Sequence, residues 1–129
     1  MTDFQKTTRR PDITITSFGR IDITVRVARL LGLQPGDVVS LLPRAGELYL
    51  IRKLPAGQVV GRHRGQCAYS SRSKGSLRTW SVAMAQTIFD AGRPAHGDLQ
   101  ILRLPCGDPE QIDGFTAVPI ITQINITSK

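Results

Sequence analysis

Apolar and polar residues alternate in two neighbouring segments near the start of the chain, "ITITS" at 13–17 and "RIDITV" at 20–25. Alternation with a period of two predicts strands that have one buried and one open face. In the second segment the isoleucines point one way, while Arg20 and Asp22 point the other way. Gly19 lies in the turn between the segments, so the pattern predicts a β-hairpin.

The pattern then changes to the 3.6-residue period of a helix. Thr24 is the predicted N-cap, and apolar residues recur at i, i+3 and i+4 from Val27. Arg26 and Arg29 share the opposite face because they are three residues apart. Gly32 is a favoured residue just beyond a helix end. The sequence therefore predicts a helix of about two turns.

Two further strands complete this set of elements. "QPGD" at 34–37 is typical of a turn, and "VVSLL" and "ELYLIRK" predict a hairpin around "PRAG" at 43–46. A unit of this size is too small to close a hydrophobic core by itself. Its strands need partners from a second chain or from a second copy in the same chain.

A second set of elements follows in the same order. "SFGRIDITV" at 17–25 aligns with "SKGSLRTWS" at 73–81, so that Gly19 meets Gly75 at an offset of 56. The helical stretch "SVAMAQTIFDAG" comes next and is predicted to close on Gly92. A Gly-Asp turn and the strand-like run "LQILRL" follow, as they do in the first set.

The last strand of the second set is predicted within "FTAVPIITQINI". Pro119 has no backbone N–H to donate, which predicts that this strand lies at a sheet edge or is bulged. These parallels predict an internal duplication with a flexible basic N-terminal arm and a basic linker. The arm, first unit, linker and divergent second unit span residues 1–11, 12–56, 57–66 and 67–127. The alternative is one such unit followed by an unrelated α/β tail.

The charge is strongly positive and unevenly distributed. The formal net charge is +7, and no acidic residue occurs between Glu47 and Asp90. A basic segment of this kind steers a chain toward a polyanion. The alternative is a solvated basic face without a partner. From Asp108 to Asp113 the balance is reversed, and this acidic stretch contacts either a partner or solvent only.

No pattern of metal ligands or catalytic groups is present. Cys67 and Cys106 have no CxxC spacing and, with His63 and His96, fit no standard zinc site. The acids are scattered, without a pair placed for acid–base chemistry. We therefore predict two buried thiols and expect no cofactor, no metal and no enzymatic activity. Because the N-terminus has no apolar signal segment and no run is long enough to span a membrane, we expect a cytoplasmic protein.

The run "GRIDITVRVARLLGLQPGD" followed by "GELYLIRK" resembles the AbrB/SpoVT-type swapped-hairpin domain of bacterial transcription regulators and antitoxins. The resemblance covers about residues 12–54. The matching positions are Gly19, Arg20, Arg29, Leu31, Gly32, Leu33, Gly36 and Asp37. The duplicated arrangement resembles the MraZ branch, in which two such units sit in one chain.

The resemblance implies a mainly β fold with short helices, in which two units interlock their hairpins in a β-barrel. It also implies a DNA-binding face with Arg20 in the strand turn and Arg29 on the short helix. Arg26 is added because it lies beside Arg29. The chain departs from the family pattern at Thr24, where proline is usual, and in its first strand, which lacks a basic residue. Asp22 shares a strand face with Arg20 and weakens a phosphate site there.

These observations favour a double-stranded DNA-binding protein, most simply a transcription regulator. Arginine suits this task because its planar fork pairs bidentately with phosphate or guanine, and Trp80 alone gives little for the stacking of single strands. The predicted DNA contacts are Arg9, Arg10, Arg20, Arg26, Arg29, Arg72, Lys74 and Arg78. The expected assembly is a homodimer or a pseudo-dimer within one chain. The alternative is an oligomeric assembly or toxin–antitoxin-type protein whose basic face binds an acidic protein partner.

Overall fold

A computed structural model describes residues 6–7, 11–61, 63–69 and 74–126 of the chain. The strands are β1 (Lys6–Thr7), β2 (Ile13–Thr16), β3 (Arg20–Ile23), β4 (Val38–Arg44), β5 (Glu47–Leu54), β6 (Ala68–Tyr69), β7 (Leu77–Trp80), β8 (Ile101–Leu104), β9 (Glu110–Ile112), β10 (Phe115–Ile120) and β11 (Asn125–Ile126). The helices are α1 (Val25–Leu31) and α2 (Val82–His96), with a 3₁₀ turn at Ala56–Gln58. The prediction of a mainly β fold with two helices is confirmed.

The strands form two antiparallel sheets and one small parallel pair. The order in the five-stranded sheet is β6-β7-β3-β2-β8, and in the four-stranded sheet it is β4-β5-β10-β9. β1, which falls in the predicted N-terminal arm, pairs with β11 in parallel.

The two larger sheets do not close into the predicted barrel. Among the described residues, two isolated bridges alone connect them, from Val38 of β4 to Gln66 and from Ile120 of β10 to Cys106. At the first bridge the register of β4 shifts between Val38 and Val39, which is where β4 leaves its own sheet. A bulge of this kind bends a strand and interrupts its ladder. Both sheets therefore stay open in the described part of the chain.

The first set of predicted elements forms as expected from local signals. α1 follows Thr24, and Gly32 ends it in the left-handed conformation with φ 66°. The side chain of Thr24 does not cap the helix, however. Its hydroxyl donates to the backbone oxygen of Asp12 at 3.1 Å instead. The predicted hairpin forms between β4 and β5, where Ala45 and Gly46 both have positive φ.

The inner face of the five-stranded sheet forms the main core. The isoleucines of β2 and β3 are fully buried and pack against both helices and the four-stranded sheet. Each such side chain contributes about 2–3 kcal/mol by its burial. The largest fully buried side chains are Ile13, Ile15, Ile21, Ile23, Val27, Val39, Leu50, Leu77, Ile88, Leu102, Leu104 and Val118.

The other face of the four-stranded sheet encloses a smaller core around Tyr49 and Ile112. Arg44, on edge strand β4, forms an ion pair with Asp113, in the turn after edge strand β9. This contact shows that the sheet coils until its two edges approach. The acidic stretch that the sequence left unassigned thus forms a strand and a hairpin turn.

Two predictions about the second half are wrong. α2 does not close on Gly92 but continues to His96, with Gly97 as its C-cap. A glycine inside a helix costs only about 1 kcal/mol, which tertiary packing offsets. The strand with Pro119 is neither at an edge nor bulged, since β10 lies between β5 and β9 and both of its ladders run without a register shift. Pro119 faces Gly107, whose N–H donates to its carbonyl oxygen at 2.9 Å, so no bond to β5 is lost.

Candidate functional site

The central strands of the five-stranded sheet, β3 and β7, carry charged residues on the side away from the core. Arg20 lies opposite Trp80, and Asp22 lies opposite Arg78 in the antiparallel register. The alternate residues of both strands are buried. Successive side chains of a strand point to opposite faces. These four residues therefore share one surface, which we call the open face together with Arg103 of β8.

Asp22 binds two arginines at the middle of the open face. Its carboxylate accepts from Nε of Arg78 at 2.6 Å and lies 3.4 Å from Nε of Arg20. The three side chains are only 15–26% exposed. That Asp22 weakens a phosphate site at Arg20 stays a prediction, and the structure adds that Asp22 also binds Arg78. Both guanidiniums use Nε for this contact, and no described residue accepts from their terminal nitrogens.

Arg103 extends this surface toward the edge of the sheet. In the antiparallel register Arg103 pairs with Thr14 of β2, and Thr14 pairs with Asp22 of β3. No carboxylate in the described part of the chain forms an ion pair with Arg103. The open face therefore holds three guanidiniums against one carboxylate. Arg103 was not among the predicted contacts, although the alternation in "LQILRL" places its side chain on the face away from the two buried leucines of the same strand.

The two arginines of α1 do not act as the predicted pair. Arg26 forms an ion pair with the buried Asp12, at 3.2 Å. Asp12 also accepts from the backbone N–H of Cys106 at 2.8 Å, so this carboxylate links α1 to the strand ends. Arg26 is therefore held in the structure, while Arg29 is exposed and forms no ion pair with the described residues.

Arg29 lies in a groove of about 650 Å³ with Lys74. The groove runs between the end of α1 and the turn before β7, and Gly75 lies in its wall. Lys74 is exposed as well, and no described carboxylate forms an ion pair with it. The structure thus brings one residue of each predicted unit into one basic groove.

The two hairpin turns contact the two helices reciprocally. A Cβ on Gly19 would lie 3.0 Å from Cγ2 of Val82, the first residue of α2. A Cβ on Gly75 would lie 3.3 Å from Cγ2 of Val25, the first residue of α1. Both glycines have positive φ, 108° and 87°, which disfavours any other residue. Each turn therefore packs closely on the helix of the other half of the chain.

Phe18 and Trp80 form an exposed aromatic pair at one end of the open face. Their ring centroids are 6.3 Å apart, and the planes are tilted by 35°. They line an open groove of about 640 Å³ with Val82, Gln86 and Arg64. Arg64 was not among the predicted contacts, and Trp80 was expected to add little to stacking. Composition alone does not show that the rings of Phe18 and Trp80 meet.

Two glutamates of the four-stranded sheet share one hydrogen-bond donor. Glu47 and Glu110 both accept from the hydroxyl of Tyr49, at 3.1 and 3.4 Å. Burial, and then the hydrogen bond to Glu47, raises the pKa of this hydroxyl. Asp113 pairs with Arg44 on the same sheet. The four-stranded sheet therefore carries carboxylates beside the cations Arg44, Arg52 and Lys53.

The remaining predicted contacts and candidate groups are quickly placed. Arg9, Arg10 and Arg72 lie outside the described residues. Cys67 and Cys106 are both buried, as predicted. Burial raises the pKa of the Cys67 thiol to about 12, with a further contribution from Asp37.

Neither a metal site nor a membrane span is found in the part of the chain that the structure describes. No three His, Cys, Asp or Glu side chains there are grouped closely enough to hold a metal ion. None of its helices has the length and apolar character needed to cross a membrane. Comparisons with protein-family models, with curated proteins and with solved structures return no match for this chain.

Proposed function

We propose that this chain binds double-stranded DNA through the open face and the adjoining Arg29–Lys74 groove, most simply as a transcription regulator. The observation that carries the proposal is the arrangement around Asp22. The carboxylate accepts from Nε of Arg78 and lies beside Nε of Arg20, and no described residue accepts from the terminal nitrogens of either arginine. Those terminal nitrogens are the edge of a guanidinium that pairs bidentately with a phosphate or with guanine O6 and N7.

The distribution of cations supports contact with a polyanion. Arg103, Arg29 and Lys74 add positive groups that no described carboxylate neutralises. Phosphate contacts of this kind position a protein on a duplex without reading its sequence. Arg26, whose half-exposed side chain pairs with Asp12, stays a predicted contact but carries no part of this proposal.

The connectivity supports a duplicated swapped-hairpin fold of the AbrB type within one chain. β2 of the first half pairs with β8 of the second, and the residues before β4 pair with the segment before β6. The ladder between β3 and β7 is centred on Asp22 and Arg78, which differ by the alignment offset of 56. A pseudo-twofold axis through that pair accounts for the reciprocal contacts of Gly19 and Gly75.

A pseudo-twofold protein surface matches the symmetry of a duplex, whose two backbones are related by twofold axes. The two halves of this surface are not equal, because α2 has no basic residue in its first two turns. We therefore expect a pseudo-dimer formed by one chain, in which Arg29 of α1 has no basic counterpart in the first two turns of α2.

The test is binding to a labelled random-sequence duplex, measured by fluorescence anisotropy at about 50 and about 200 mM salt. We expect wild-type affinity to fall at least about tenfold over this range. Changing both Arg20 and Arg29 to alanine is expected to lower the salt slope by about 2, because each lost phosphate contact removes about 0.9. Circular dichroism checks that the variant is folded.

The matched control is the double change Arg44→Ala and Arg93→Ala. It removes the same charge from residues paired with Asp113 and Asp90, away from the open face. We expect its salt slope to match the wild type. Equal losses in both double variants would show that net charge, and not this face, binds DNA. No binding at low salt, with a protein that copurifies in stoichiometric amounts, would favour the assembly function instead.

A further inference from the structure

More than half of each side chain of the aromatic pair at the end of the open face is exposed. Phe18 is 62% exposed, and Trp80 is 54% exposed although it lies within strand β7. With Val82, also exposed, they form an apolar patch on the order of 300 Å², given 150–250 Å² for each aromatic side chain. Contiguous patches of this size on a monomer are often functional.

The surroundings of the patch are cationic. Arg64 lines the same groove, and Arg20 lies directly opposite Trp80 in the ladder. None of the described residues that line the groove is acidic. Gln86 adds an amide, which both donates and accepts hydrogen bonds. Aromatic rings stack on other flat rings, and guanidiniums bind phosphates. A ligand that combines a flat ring with phosphates, as a nucleotide does, therefore suits this patch.

We propose that Phe18 and Trp80 form a stacking site for an unpaired base of single-stranded DNA. The inference rests on the proposed function, since the same open face supplies the phosphate contacts. Every base has a π-face, so stacking on aromatic side chains tolerates any sequence and contributes about 1–3 kcal/mol per base. Arg64 contacts the phosphate beside the stacked base, and Gln86 contacts the edge of that base.

The site exists at only one end of the pseudo-twofold surface. At the alignment offset of 56, Lys74 takes the place of Phe18, and Trp80 takes the place of Thr24. The opposite end is thus the basic groove of Arg29 and Lys74, without an aromatic pair. We therefore expect one stacking site per chain, with duplex bound along the face and an unpaired base at the Phe18 end.

A second copy of the chain is the competing occupant of the patch. A stable protein interface buries about 800 Å² on each partner, well above the area of this patch. The arginines around it would also face each other in a symmetric contact of two copies, which is unfavourable. The nucleic-acid occupant is therefore the one that the charge and the area favour.

The experiment uses Trp80 as its own probe, because it is the only tryptophan of the chain. The intact protein is titrated with an oligothymidine of about 12 nucleotides at low salt. We expect saturable quenching of the tryptophan fluorescence with one site per chain. Phe18→Ala keeps the fluorophore and is expected to weaken oligothymidine binding about 5- to 100-fold, while duplex affinity stays within about twofold of wild type.

Two further variants make the result specific. Val60→Ala removes an apolar side chain that is 87% exposed and does not line the groove, and it is expected to change nothing. Arg64→Ala is expected to weaken the single strand more than the duplex. Phe18 lies in an exposed turn, so loss of its ring does not disrupt the core.

The outcomes separate the inference from the proposed function. Duplex binding without quenching by oligothymidine, or equal single-strand affinity of Phe18→Ala and Val60→Ala, would overturn the stacking site and leave the duplex proposal standing. No binding of either DNA would overturn both. Fluorescence that changes with protein concentration alone, together with a doubled mass, would assign the patch to a second copy.

Discussion

Replacing Asp22 with alanine is expected to lower stability and raise DNA affinity at the same time. The carboxylate lies between Nε of Arg78 at 2.6 Å and Nε of Arg20 at 3.4 Å. Without it, two guanidiniums face each other on adjacent strands, where a like-charge pair is destabilising. The same change removes the one negative group from the surface that we propose for DNA.

The magnitude follows from the burial and geometry of the pair. A charge-assisted hydrogen bond contributes about 1.5–3 kcal/mol. Its arginine partners are about a quarter exposed, so solvent screening keeps the value below that of a fully buried pair. The longer contact to Arg20 adds less. We therefore expect the free energy of unfolding to fall by about 2 kcal/mol, which lowers the urea midpoint by about 1 M.

The assay is urea denaturation of a double-mutant cycle with Asp22→Ala and Arg78→Ala. We expect a coupling energy of about 1–2 kcal/mol between the two residues. Asp108→Ala is the matched control, since it removes an exposed carboxylate that forms no ion pair with any described residue, and it should change stability by less than about 0.5 kcal/mol. In the duplex assay Asp22→Ala should bind about 2- to 5-fold tighter at low salt.

Two results would refute this reasoning. The first is an equal free energy of unfolding for Asp22→Ala and Asp108→Ala, which would mean that the ion pair contributes nothing. The cost of Asp22→Ala must also shrink when Arg78 is already alanine. A full cost in that background would assign the effect to the strand itself, not to the contact.

Two further predictions concern the turns and the buried thiol. Gly19→Ala is expected to lower the free energy of unfolding by about 2–3 kcal/mol, because the positive φ and the 3.0 Å approach to Val82 both oppose a Cβ. Gly46→Ala, with open space around it, should lower it by about 1 kcal/mol. Thermal unfolding of both variants checks the difference. Above pH 9 stability should fall by about 1.4 kcal/mol per pH unit toward pH 12, since the unfolded Cys67 thiol loses its proton near 9 and the native thiol near 12. Cys67→Ala should flatten that slope in urea titrations, and an unchanged slope would contradict the assignment.

The sequence by itself determined the elements that short-range chemistry specifies. The turn at Gly19, the helix from Val25 to its glycine end at Gly32 and the hairpin around Ala45 all follow from neighbouring residues. Alternation also placed Arg20 and Asp22 on one face, as the structure has them. Turn conformations, caps and strand faces depend on residues a few positions apart, so one segment contains the needed information.

Only the tertiary structure decided which segments meet. The pairing of β3 with β7 brings Arg78 to Asp22, and the position of Asp12 gives the half-exposed Arg26 an ion-pair partner. α2 runs through Gly92 because long-range packing outweighs a local helix-breaking signal of about 1 kcal/mol. Contacts of this kind join residues that are far apart in the chain, and their free energies depend on the surface buried by the whole fold. The secondary-structure elements could therefore be predicted from the sequence, whereas the site that they form could not.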